Sequence, residues 1–143
     1  MTSRVMVRNL QRKVPVDVVD LENFARKALV LCLDLPSGKR TDLQRLDEVS
    51  VLIVSDRRMT SLHRRFMNEL GSTDVITFQH GEIFISAEIA QQNTRRFGTS
   101  LIREVSLYIV HGLLHLHGFD DRTKAGARKI QMMQQKILTK AAL

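Results

Sequence analysis

The sequence predicts an α/β (α+β) fold, with one domain over residues 1–143 and a small mixed sheet of about four strands packed with about five helices. Three observations predict it. Strand-like and helix-like hydrophobic periods alternate along the chain, which is typical of a sheet covered by helices. One helical segment is apolar on most sides, so we expect it to be central and buried. A length of 143 residues suits one domain with one core.

The first half of the chain predicts two strands, each followed by a helix. Residues 4–8 alternate apolar and charged side chains like a half-buried strand, and Asp17 precedes a helical pattern that Pro36 breaks. Residues 47–54 are rich in β-branched side chains and predict the second strand. Ser55 is a good N-cap for the helix that follows. The apolar positions of that helix are Met59, Leu62, Phe66 and Leu70.

The second half begins with a pair of short strands. Residues 74–78 and 82–85 have strand-like composition, and the three-residue gap between them is short enough for a hairpin or for a bend between adjacent strands. Ser86 can cap a helix over residues 87–97, and Gly98 can end it.

Two further helices complete the prediction. Thr99 and Ser100 can cap the apolar helix, which we expect to lie at the centre of the domain. The last helix, over residues 123–139, has apolar side chains on one face and Lys or Arg on the other, as a covering helix does. We expect Met132 and Met133 of this helix to lie in the core.

Composition indicates a basic protein in a reducing environment. The 22 Lys and Arg outnumber the 15 Asp and Glu, which gives a net charge of +7. This charge favours binding to polyanions such as nucleic acid, although an excess of charge can also serve only to keep a protein soluble. Cys32 is the only cysteine, so it has no disulfide partner within the chain, and we expect it to be packed as a small apolar residue. We find no apolar run long enough for a signal peptide or a membrane span, which predicts a cytoplasmic protein without a membrane partner.

The segment HGLLHLHGFDD, residues 111–121, has the spacing of a metal site. His111 and His115 are four residues apart, so on a helix they can point at one ion. Gly118 can end that helix in the left-handed conformation and let the chain turn back, which offers Asp120 or Asp121 as a third ligand. Three protein ligands and one open position describe a catalytic zinc site, and the chemistry expected of it is hydrolysis. The alternative is a pair of hydrogen-bonded core histidines.

Two other residues of the segment refine this interpretation. Gly112 is unfavourable inside a helix and has no packing need that the sequence reveals, so we expect a close approach to its backbone. It also stands where zinc proteases of the H-E-x-x-H type have their catalytic glutamate, which disfavours peptide hydrolysis. His117 lies on roughly the opposite side of the helix from His115, so we expect it to pack or to support a ligand rather than to bind the ion.

The segment HGLLHLHGFDD and the strand-like runs TDVITF and GEIFIS together resemble the motifs of the YbeY family of bacterial metal-dependent endoribonucleases. The segment HGLLHLHGFDD is similar to the family signature H-G-x-L-H-L-x-G-[YF]-D-H, TDVITF (residues 73–78) to the strand T-[DN]-V-L-S-F, and GEIFIS (residues 81–86) to the strand G-D-I-x-I-S. The order and spacing of these motifs agree over nearly the whole chain.

The resemblance implies a single-strand-specific endoribonuclease that acts in rRNA processing, including maturation of the 16S rRNA 3′ end, and in ribosome quality control. It implies one zinc ion bound by His111, His115 and, in place of a third histidine, Asp121. The expected partners are ribosomal RNA and the small ribosomal subunit, with no role for DNA. The alternatives are a zinc metallopeptidase-like hydrolase and a ribosome-associated binding protein whose metal site has drifted.

The sequence departs from the family at two further positions. Met67 stands where the family has a basic residue, and Arg64 and Arg65, one turn earlier, are the candidates to supply that positive charge. Glu82 replaces the Asp of G-D-I and is the candidate general base or ligand-supporting carboxylate, provided that its strand lines the cleft.

Overall fold

The computed structural model describes residues 4–67 and 73–142, so the predicted apolar position Leu70 lies outside the described residues. The elements in chain order are β1 (Arg4–Asn9), α1 (Val18–Leu33), α2 (Asp42–Arg45), β2 (Glu48–Val54), α3 (Asp56–Met67), β3 (Val75–Phe78), β4 (Glu82–Ser86), α4 (Ala87–Phe97), α5 (Leu101–Leu116) and α6 (Lys124–Ala141).

The four strands form one mixed sheet in the order β1-β2-β4-β3. β1, β2 and β4 are parallel, and Val51 at the centre of β2 lies opposite Val7 on one side and Ile83 on the other. β3 runs antiparallel to β4, so of the two predicted connections the structure has the hairpin. The α/β fold class and the mixed four-stranded sheet are therefore confirmed.

Within residues 4–67 and 73–142 there are six helices instead of the expected five, because α2 has too few residues to show a hydrophobic period. A capping box starts α2: the Thr41 hydroxyl accepts from the Gln44 amide, and the Gln44 side chain accepts from the Thr41 amide.

Side-chain caps fix the ends of the longer helices where the sequence predicted them. Ser55 accepts from the Arg58 amide at the start of α3, Ser86 caps α4 and Ser100 caps α5. Gly98 ends α4 in the left-handed conformation, with φ at +67°.

The sheet is covered on both faces, and its strands alternate between two cores. Ile83 and Ile85 of β4 belong to the larger core, which the sheet forms with α1, α5 and α6. Phe84, between them in sequence, belongs to a smaller core with Met59 of α3 and Ile76 of β3. α5 is buried along most of its length, as its apolar sequence predicted.

The outer edge of the sheet at β1 is covered by a side chain of α1. The Val7 amide, which points away from β2, donates to Glu22 Oε1 at 3.1 Å. The other oxygen of that carboxylate lies 3.3 Å from Arg26 Nη2, one turn along α1. α1 therefore satisfies a backbone donor that an edge strand leaves without a partner.

One prediction about packing is wrong, and one is confirmed. Met132 is 56% exposed because it lies about 200° around α6 from the buried Ile130, whereas Met133 packs partly buried against the core. Phe66 is 54% exposed at the end of α3. Cys32 is fully buried, as expected, and burial raises the pKa of its thiol to about 12.

In the part of the chain that the structure describes, no helix is both long and apolar enough to cross a membrane.

Candidate metal centre

α5 brings the two predicted histidine ligands together. His111 and His115 lie one turn apart on its half-buried face, and their Nε2 atoms are 2.9 Å apart. Because α5 is packed on the sheet and on four other helices, its backbone is a rigid support for both rings. One ion placed between the two Nε2 atoms would contact both.

A buried glutamine on α6 fixes the orientation of the first ring. His111 Nδ1 hydrogen bonds to Oε1 of Gln134, a residue that is only 8% exposed. Since the amide oxygen only accepts, the hydrogen of this bond is on Nδ1, and the lone pair of the neutral ring is on Nε2. A hydrogen bond of this kind orients the histidine ligands of known metal sites.

The third predicted ligand comes from the turn after α5. Gly118 has φ +95°, a conformation that L side chains rarely adopt, and it turns the chain back toward the histidines. The Asp121 carboxylate then joins them, so that one ligand atom from each of His111, His115 and Asp121 lies within 4.8 Å of the others.

The neighbouring carboxylate has a different partner. Asp120 accepts from the Arg122 guanidinium at 3.0 Å and from the Arg122 amide at 3.2 Å, and these bonds lower the pKa of Asp120. Of the two carboxylates that the sequence left open, the structure brings Asp121 to the histidines and holds Asp120 at Arg122.

The donor set and its spacing fit a divalent ion such as zinc. Ligand atoms of a tetrahedral zinc site lie about 3.4 Å apart, so the carboxylate would close by up to about 1.4 Å and the nitrogens would separate slightly. Asp121 is exposed, so its side chain has room to make this movement. Burial, and then the neighbouring His111, lower the pKa of His115, which favours the neutral ring that metals bind.

The histidines open into a cleft of about 420 Å³ between α5, α3 and β3. α3 contributes His63 and Met67, which lie four residues apart and therefore on one face of that helix. Sequence reasoning missed His63. Its spacing from Met67 was the available signal, since a side chain that shares a face with Met67 reaches the same cleft.

The three other predicted site residues lie outside this cleft. Arg64 and Arg65 are exposed and line a separate surface of α3. Glu82 starts β4 beside the hairpin turn, and its Oε1 lies 2.6 Å from His80 Nε2. Glu82 alternates with Ile83, so it faces away from α5. The catalytic roles expected of these residues stay predictions, and the condition that Glu82 lines the cleft is not met.

Gly112 and His117 have structural surroundings that explain them. A Cβ on Gly112 would lie 2.7 Å from Ile83 Cδ1, so the glycine has the packing need that the sequence did not reveal. His117 is buried on the other side of α5, as its position predicted, where it bonds to Leu35 and Thr41.

Comparison with known proteins gives one consistent family. The family model described as Endoribonuclease YbeY matches residues 6–142. A protein named Endoribonuclease YbeY from Carboxydothermus hydrogenoformans is 32% identical over 146 residues, which cover 96% of each chain. A protein of the same name from Acidothermus cellulolyticus is 30% identical over 147 residues, 88% of this chain and 84% of that protein.

A solved structure shows the same fold. The solution structure of TM1509 from Thermotoga maritima matches with a TM-score of 0.65 at 22% identity and covers 96% of this chain and 88% of that one.

Proposed function

Because the chain belongs to the YbeY family of endoribonucleases, we propose that His111, His115 and Asp121 form the metal-binding catalytic centre of an endoribonuclease specific for single-stranded RNA. The observation that carries the proposal is the convergence of two imidazole nitrogens, from histidines that line the cleft, with one exposed carboxylate. The ion that we propose is zinc, which suits these donors.

Each residue of the centre has a distinct task. α5 fixes the two histidines relative to each other, and Gln134 holds the His111 ring with its Nε2 turned toward the ion. Asp121 closes the site from the solvent side. A bound divalent ion supplies the Lewis acidity needed to hydrolyse a phosphodiester. A carboxylate in the third position lowers the net charge of the site compared with three neutral histidines, so we expect weaker Lewis acidity than a three-histidine centre has.

We propose ribosomal RNA as the substrate, with maturation of the 16S rRNA 3′ end and ribosome quality control as the processes and the small ribosomal subunit as the partner. The net charge of +7 supports binding to RNA phosphates. The chain has no Trp and one Tyr, so few aromatic side chains are present on which RNA bases could stack. Selectivity among RNA substrates would then come from RNA shape or from a partner.

A metallopeptidase remains the second candidate because of the histidine spacing, and the structure adds an argument against it. The position that carries the catalytic glutamate in H-E-x-x-H proteases is Gly112, and a side chain there would collide with Ile83. A peptidase would have to obtain its general base from another element.

The metal content and RNA cleavage of four single variants test the proposal. We expect His111→Ala, His115→Ala and Asp121→Ala to lose bound metal, and cleavage of ribosomal RNA by each to fall at least about 100-fold, since even supporting residues of metal sites contribute 10- to 100-fold. Asp120→Ala is the matched control, because it removes the adjacent carboxylate and should keep both metal and activity.

Three outcomes separate the alternatives. Full activity of both histidine variants would contradict a catalytic metal centre. Loss of metal in Asp120→Ala but not in Asp121→Ala would move the third ligand to Asp120. Wild-type protein that lacks stoichiometric metal and cleavage, yet binds ribosomal subunits, would favour a binding protein with a drifted site.

The same assay tests the remaining predicted participants. Glu82→Gln, Arg64→Ala and Arg65→Ala leave the three ligands in place. Lower cleavage at unchanged metal content would support the catalytic roles predicted for these side chains. Unchanged cleavage would fit their positions outside the cleft.

A further inference from the structure

A second cavity, of about 620 Å³, adjoins the cleft of the metal centre. Asp42 and Leu116 line both cavities, so the two meet at the C-terminal end of α5. The second cavity lies between the loop of residues 36–41 and the connection from α5 to α6. An extended polymer bound at the histidines could therefore continue into it.

Three cations line this second cavity: Lys39 and Arg40 from the loop and Lys129 from α6. All three side chains are exposed, and none of them forms an ion pair with another described residue. The Lys129 ammonium lies 5.4 Å from the centre of the Phe119 ring, which also lines the cavity. Phe119 thus positions one of the three charges at the cavity wall.

The acidic residues of the cavity are balanced locally. Asp120 is bound to Arg122 at 3.0 Å, and Asp42 lies 3.9 Å from Arg45. The three cations are therefore the charges available to a ligand, and the cavity is suited to an anion.

The loop that carries Lys39 and Arg40 is tied to the metal-binding helix at both ends. His117 Nε2 donates to the Leu35 carbonyl at 2.9 Å, and the Thr41 hydroxyl donates to His117 Nδ1 at 3.0 Å. His117 is buried and directly follows α5. The backbone positions of Lys39 and Arg40 relative to the histidines are thus set before any ligand binds, which lowers the entropy that the loop loses on binding.

We propose that this cavity is a subsite for backbone phosphates of the RNA strand, next to the phosphodiester at the metal centre. The inference rests on the proposed function, and it assigns Lys39, Arg40 and Lys129 as phosphate-binding residues. The subsite binds the charged phosphates and does not distinguish between bases, because its cations contact only phosphates.

The test is the salt dependence of RNA binding by two triple variants. Lys39→Ala/Arg40→Ala/Lys129→Ala removes the proposed contacts, and Arg95→Ala/Lys136→Ala/Lys140→Ala removes the same charge from exposed positions outside both cavities. Lys140 is a close match for Lys129, because it lies on the same face of α6 about 16 Å farther along the axis. The probe is a single-stranded phosphorothioate oligoribonucleotide, which keeps the backbone charge and resists hydrolysis.

We expect the cavity variant alone to show a smaller salt slope. Each lost phosphate contact lowers the slope of log K against log salt by about 0.7, so three contacts lower it by about 2. The affinity ratio of wild type to cavity variant should then shrink roughly 20-fold between 50 and 200 mM salt. The control variant should keep the wild-type slope.

Two results would overturn the inference, and they differ from each other. If wild type binds and cleaves RNA but the two triple variants have equal affinities and slopes, the subsite is wrong and the metal centre stands. If wild-type protein neither binds nor cleaves single-stranded RNA, the proposed function fails and the subsite fails with it.

Discussion

Replacing Gly112 by alanine should push the metal-binding helix against the sheet. The added Cβ would lie 2.7 Å from Cδ1 and 2.9 Å from Cγ2 of Ile83, closer than carbon atoms pack. Ile83 is fully buried on β4, and α5 is held from several sides, so neither element has free space to retreat into. The strain must be taken up by an unfavourable Ile83 rotamer or by a shift of α5.

The size of the effect follows from two opposing contributions. Overpacking a core by one methyl group costs about 1–3 kcal/mol, whereas replacing a helical glycine by alanine gains about 1 kcal/mol. We expect Gly112→Ala to lower the free energy of unfolding by roughly 0–2 kcal/mol, the cost of overpacking less the gain in helix propensity. Ile83→Ala alone should lower it by about 2–5 kcal/mol through the cavity that it leaves. In the double variant the new methyl group occupies part of that cavity, so the two losses should not add.

Urea unfolding of the wild type, both single variants and the double variant measures this coupling. We expect the double variant to be more stable than the sum of the single changes predicts, by about 1–3 kcal/mol. Gly38→Ala is the control, because nothing lies within 4 Å of its added Cβ, and its stability should be close to that of wild type. Additivity of the two changes within about 0.5 kcal/mol would refute the reasoning.

Three more predictions concern side chains around the metal-binding helix. His117→Ala should lower the free energy of unfolding by about 1–3 kcal/mol, because it leaves two loop groups without their partner; an unchanged urea midpoint would contradict this. Gln134→Leu should weaken metal binding about 10- to 100-fold in a chelator competition, since it frees the His111 ring, whereas Gln131→Leu on the exposed face of the same helix should not. The Cys32 thiol should resist thiol reagents at pH 8 until the protein unfolds. Burial raises the pKa of the Cys32 thiol from 9.0 to about 12. The contribution of this thiol to the free energy of unfolding should therefore be complete below pH 9 and decline as the pH rises toward 12. The Cys32→Ala variant should lack this decline.

Local sequence signals were sufficient for most of the fold. Ser86, Gly98 and Ser100 act at the ends of their helices as their chemistry predicted, because a cap depends only on residues within one turn. The connection between β3 and β4 was also predictable from local sequence, because only three residues separate the two strands. α2 was missed because four residues show no period, and its one signal was the capping box of Thr41 and Gln44.

Contacts between distant segments could not be read from the sequence. A close approach to the Gly112 backbone was predictable, but the residue that makes it was not, because Ile83 is 29 residues earlier in the chain, on a different element. Arg64 and Arg65 were the residues predicted to act near Met67, whereas the side chain that the fold places beside Met67 in the cleft is that of His63. The histidine pair was the most predictable part of the site, since both residues lie on one turn of one helix.

The contact between Glu22 and the Val7 amide also bears on how the protein avoids associating with itself. An edge strand with free backbone donors is a template onto which another chain can add a strand, and such addition leads to aggregation. On β1 a carboxylate from α1 occupies one of these donors, and the charged side chains of Arg4 and Arg8 flank it along the strand. α1 therefore blocks one backbone position at which an incoming strand would pair, without adding a strand of its own.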